Sequence, residues 1–107
     1  MGGSLEGTSG TGGNVTAGAD TDLDNNEAYT SGLPAGYGLV LVANKTDAKD
    51  GLFRLENTTT FVVSADATFS VTKDNAATIN VYVEGGYVIV QNKIANNKSI
   101  TVGSVTI

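Results

Sequence analysis

The side chains with the most chemistry to offer in this chain are carboxylates. Asp20, Asp22 and Asp24 stand at alternate positions, the spacing with which an EF-hand calcium loop begins. The rest of that loop is not there: Asn25 occupies the sixth position, which needs glycine, and Ser31 the twelfth, which needs a bidentate glutamate. We read Asp20, Asp22, Asp24 and Glu27 as an acidic docking segment, with no metal and no cofactor expected. Histidine and cysteine are absent, which removes the usual general base and the thiolate nucleophile. The six acids after residue 36, Asp47, Asp50, Glu56, Asp66, Asp74 and Glu84, fall in or beside turns or on an outward strand face, where no apolar pocket raises a carboxyl toward acid catalysis. Gly10, Gly12 and Gly13 lack both the Lys-Ser/Thr ending of a phosphate loop and the strand that precedes a dinucleotide fingerprint. The expectation is a protein that is not an enzyme. Tyr29, Tyr37, Tyr82 and Tyr87 could make an aromatic sugar platform, with Tyr82 and Tyr87 across a hairpin from each other, so a carbohydrate-binding or adhesion module is the alternative reading.

Charge narrows the partners. Residues 1–36 contain five acids (Glu6, Asp20, Asp22, Asp24, Glu27) and no Lys or Arg, whereas the rest contains six of each sign, so the whole net charge of −5 sits in the first third. Nucleic acid, whose phosphates require clustered cations, is not an expected partner. A basic protein surface fits better. No run of about 18 apolar residues spans a membrane, and the N-terminus has neither the basic region nor the apolar stretch of a signal peptide.

These side chains must be held by strands. Ile79, Val81 and Val83 alternate with Asn80, Tyr82 and Glu84, and Tyr87–Asn92 follows after Gly85-Gly86, whose two glycines suit a tight hairpin turn with positive φ. Tyr37–Ala43 is apolar at both parities, with Leu39 and Leu41 on one side and Val40 and Val42 on the other. Both faces are therefore expected to be covered, one of them by another subunit. Further strands are read at 52–56, 58–65, 67–73 and 99–107, with Phe53, Phe61, Val63, Phe69 and Val71 in the core. Gly103 is read as a bulge that turns Val105 and Ile107 inward. About seven strands with no helical period predict an all-β fold, a small antiparallel sandwich or barrel over 37–107, preceded by a flexible glycine-rich arm over 1–36. A body of roughly 70 residues has a thin core and here has no disulfide or thiolate–imidazole zinc site to support it. Self-association, with Leu39 and Leu41 or Val40 and Val42 at the contact, is the expected support.

The runs GLFRLENTT and SADATFSVTKDNAATINVYVEGGYVIVQNK, followed by a short apolar strand at the C-terminus, resemble the small β domains of tailed-bacteriophage head-fibre and capsid-decoration proteins. The resemblance implies a non-enzymatic protein made in the host cytoplasm and carried on the capsid surface of the virion. Its arm would dock on the major capsid protein and its β body would form a homo-oligomer, most simply a trimer.

Overall fold

In a computed structural model that describes residues 14–16 and 20–107, the chain is all-β, with no helix among the described residues. Ten strands run in the order β1 (Asn14–Thr16), β2 (Thr21–Leu23), β3 (Ala28–Pro34), β4 (Gly36–Asn44), β5 (Lys49–Asn57), β6 (Thr59–Ala65), β7 (Phe69–Ser70), β8 (Ile79–Glu84), β9 (Tyr87–Asn92) and β10 (Lys98–Thr106). They make two open sheets and not a barrel. The first has the order β1-β10-β4-β5-β6, with β2 also on β10, and is antiparallel. The second, β3-β9-β8-β7, is mixed because β7 runs parallel to β8.

Alternation builds the core. From the first sheet Val40, Val42, Phe53, Leu55, Ile100 and Val102 point inward, and from the second Ile79, Val81, Val88 and Val90 meet them in one apolar cluster. Phe53 and Phe69 contact edge to face with ring centroids 6.0 Å apart, which joins β5 to the short β7. Between the two sheets, the Thr60 hydroxyl donates to the Val81 carbonyl at 2.7 Å. The Gly85-Gly86 hairpin turn is as read, with both φ values positive.

Four expectations are corrected. The body does not start at residue 37: β2 pairs with β10 and β3 with β9, and Leu23, Leu33 and Tyr29 pack into or against the core, so residues 21–34 of the supposed arm are part of the fold. Earlier arm residues, 1–13 and 17–19, lie outside the described residues. Gly103 is not a bulge. β10 pairs with β4 from Ile100 to Thr106 without a register shift, so Val105 opposite Leu39 faces outward and Ile107 is exposed. The real irregularity is in β6, between the pairs Leu52–Ser64 and Phe53–Val62. It leaves Val63 as an extra residue and puts Phe61 and Val63 at the surface instead of in the core. The strand read over 67–73 shrinks to two residues, because the chain leaves β7 in a short crossover over 71–78 to return parallel as β8.

Gly38 is required by close approach. A Cβ there would lie 2.0 Å from the Val105 carbonyl oxygen and 2.8 Å from the Thr106 Cα, both backbone atoms of the neighbouring strand that cannot move aside alone. Gly38→Ala is therefore expected to cost about 2–3 kcal/mol, read from the denaturant midpoint. Gly36→Ala, where a Cβ meets open space, should stay within about 0.5 kcal/mol. Removing residues 1–30 deletes β1, β2 and Leu23, and the remaining chain is expected to lose cooperative unfolding. A chain beginning at Asn14 keeps every described strand and should unfold in one transition.

Candidate functional site

The outward face of the first sheet is where the chain leaves apolar surface unspent. Register sets it out as rows across the strands: Val105, Leu39, Arg54 and Phe61 form one, and Gly103, Leu41, Leu52 and Ser64 the next. Leu39 is 41% and Leu41 51% exposed, and Val105, Phe61 and Tyr37 on the same face are similarly open. Val40 and Val42, the other parity of the same strand, are fully buried in the core. The two-sided apolar reading of β4 thus separates into a core side and an uncovered side, and Leu39 and Leu41 are the pair available for contact. Arg54 lies in the middle of this face. Its guanidinium sits 4.5 Å from the Phe61 ring centroid and 3.8 Å from the Glu56 carboxylate, so this cation is paired and stacked.

The acidic segment lies exposed but bonds back onto the molecule's own surface. The Asp20 carboxylate accepts from the Thr101 hydroxyl and pairs with Lys45 at 3.0 Å. Asp24 accepts from the Asn97 amide at 2.9 Å, while Glu27 accepts from the Asp24 backbone N–H at 2.7 Å. Among the described residues Asp22, on β2 opposite Ser99, is the one of the four without such an engagement. Three of the carboxylates read as docking groups for another protein therefore already hold β10, the turn before it, the loop after β4, or their own turn. Among the described residues no three potential ligands converge on a point that would suit a metal ion.

The paired-tyrosine platform does not form. Tyr82 and Tyr87 share the outer face of the second sheet, but register sets Tyr82 opposite Ile89 and Tyr87 opposite Glu84. The crossover over 71–78 covers that face. Lys73 reaches across to Glu84 at 2.8 Å, and Asp74 and Gln91 exchange two hydrogen bonds of 2.8 Å. Tyr82 is left 7% exposed and burial pushes its phenol up, whereas Tyr87 is 44% exposed and stands alone.

Elsewhere polar side chains shape turns. Asn44 accepts from the backbone N–H groups of Thr46 and Asp47 and donates to the Asp47 carboxylate, which also holds the nearly buried Lys98 at 2.8 Å. Buried Asn92 donates to the Leu23 and Asn96 carbonyls and accepts from the Ile94 N–H. Sequence reading passed over these asparagines because their type signals a turn without saying which strand the turn will hold.

With this geometry in view, the chain matches no protein-family model, no curated protein and no solved structure.

Electrostatics of the fold predict its acid response. The Thr101 hydroxyl and Lys45 hold the Asp20 carboxyl below the ordinary carboxylate range, Lys98 and then Asn44 do so for Asp47, and Thr68 does so for Asp66. Because these folded-state values lie below the unfolded value of about 3.9, their contribution is complete above that pH and is lost as pH falls through the depressed values. Melting temperature should therefore be level from pH 7 to about pH 5 and drop below about pH 4. Asp47→Asn should flatten part of that drop. A profile that falls between pH 7 and pH 5 would contradict the assignment, since no histidine is present to titrate there.

Proposed function

We propose that this chain is a non-enzymatic structural protein of a bacteriophage virion, a capsid-decoration or head-fibre protein whose β body forms a homotrimer through the outward face of its first sheet. The observation that carries the proposal is the uncovered apolar row at Leu39 and Leu41, flanked by Val105 and Phe61, in a small domain with no cysteine. Burial of such a row against a copy removes apolar surface from water at about 25 cal/mol per Å², support that a thin core of this size lacks by itself.

Three depressed carboxylates speak for structure over catalysis. A general acid needs its carboxyl raised toward neutrality, and Asp20, Asp47 and Asp66 are moved the other way by the groups they hold. Attachment to the major capsid protein is assigned to the glycine-rich residues ahead of β2, together with exposed Asp22, because Asp20, Asp24 and Glu27 are occupied within the body. The capsid surface is then its place in the virion. The carbohydrate-binding alternative loses its aromatic pair with the burial of Tyr82.

Light scattering of the full chain should give a mass that is a whole multiple of three subunits, and Leu39→Glu with Leu41→Glu should lower that mass while leaving the far-ultraviolet circular dichroism unchanged. Binding to shells of the major capsid protein should survive those changes and disappear in a chain beginning at Asn14. A monomeric full chain, or undiminished shell binding by the shortened one, would reject the corresponding half of the reading.

A further inference from the structure

The two sheets present four edges among the described residues, and three are guarded in the ways β proteins guard edges. On the first sheet, one edge is made of β1 and β2, three residues each, the latter carrying Asp22. On the second sheet, β3 contains Gly32, Pro34 and a break in register, and β7 has only two residues. The fourth edge is β6. It is seven residues long, Thr-Thr-Phe-Val-Val-Ser-Ala, with no charge and no proline, and the described residues place no strand along its free side.

We propose that β6 is a strand-addition edge whose occupant is β6 of a second copy, paired antiparallel about a two-fold axis that passes the sheet at Phe61. Residues 59–62 keep regular register with β5, so this half of the strand is straight enough to template another, and the extra residue at Val63 lies beyond it. Face parity requires the axis to lie at a residue and not between two. Thr60 and Val62 share the inward face with Leu55 and Phe53, while Thr59 and Phe61 share the outward face with Glu56 and Arg54. An axis at Phe61 keeps every side chain on its own face, setting Phe61 beside its copy and Thr60 beside Val62 of the other chain.

Val62 identifies what the edge lacks. It lies opposite fully buried Phe53 and so points toward the core side, yet it is 52% exposed, because none of the described residues closes the layer at this margin. A second β6 would cover it. Charge argues for a copy over a partner of either sign: β6 itself is neutral, and the charges opposite its regular half are already paired, Arg54 with Glu56, as is Lys49 with Asp66 at 3.6 Å near its end. Two identical neutral strands meet without placing like charges across the axis, which is the condition an isologous contact must satisfy. Joined in this way, the outward faces of the two first sheets run on into each other, with the Phe61 rings and their stacked Arg54 groups at the junction.

This contact does not depend on the Leu39–Leu41 face or on the virion assignment. The chain has no cysteine, so Phe61→Cys places a single thiol beside its copy, within the Cβ separation of about 4.5–5.5 Å for directly opposed residues. Under mild oxidation of the full chain, Phe61→Cys should convert to a disulfide dimer at least about tenfold faster than Thr72→Cys, an exposed control on the other sheet's crossover. Val62→Lys should lower the solution mass of the otherwise unchanged protein by about twofold, and Leu39→Glu with Leu41→Glu should leave the Phe61→Cys cross-linking rate intact. Cross-linking at the rate of the control, an unchanged mass for Val62→Lys, or a mass that grows without limit with concentration would overturn the two-fold pairing.

Discussion

The ladder of β10 is the constraint on which the rest of the structure depends. Along one side it pairs with β4 through seven consecutive positions, and along the other it holds both β1 and β2, so the first and last strands of the described chain are locked side by side. Such pairings are distant in sequence, and their closure entropy is overcome only when the intervening strands are in place. The ladder also dictates composition at its tightest point. Gly38 sits against the Val105 carbonyl with no room for a methyl group, and from that fixed register every alternate residue of β4 is assigned to the core or to the surface.

Polar residues inside the molecule complete what the strands begin. Asn80 donates to both the Asn75 carbonyl and the Gln91 side chain, and Gln91 in turn binds Asp74, so the crossover from β7 to β8 is fastened to the sheet it passes over. Asn92 fastens β2 in the same manner. Among the described residues no buried side-chain nitrogen or oxygen lacks a partner, as a small core requires, since each orphaned polar group would cost about 1–3 kcal/mol. Asn26, Asp74 and Asn96 also adopt positive φ, which short polar side chains tolerate better than most, so the same residue types shape the turns and satisfy them.

Surface chemistry divides accordingly. Among the described residues five ion pairs are formed between side chains, one of them with Lys98 nearly buried, while most of the apolar groups left outside gather on the first sheet and its β6 margin. A domain that exposes leucine, valine and phenylalanine on one sheet offers neighbours an apolar contact surface.

The sequence by itself determined the local elements. Period-two alternation and the Gly85-Gly86 turn placed β4, β5, β8 and β9 because strand pattern and turn chemistry are carried by neighbouring residues. It could not say which face was which on β4: Leu39 and Val40 are equally apolar, and only pairing with β10 and packing against the second sheet put Val40 inside and Leu39 outside. Thr21–Leu23 and Ala28–Pro34 were read as an arm because their polar residues and Pro34 suggest a linker, and their strand state is supplied by partners far along the chain, β10 and β9. The same holds for the candidate contact residues. Tyr82 was legible as an outer-face tyrosine, but its burial depends on a crossover whose path follows from β7 lying parallel to β8, a long-range arrangement that no local pattern encodes.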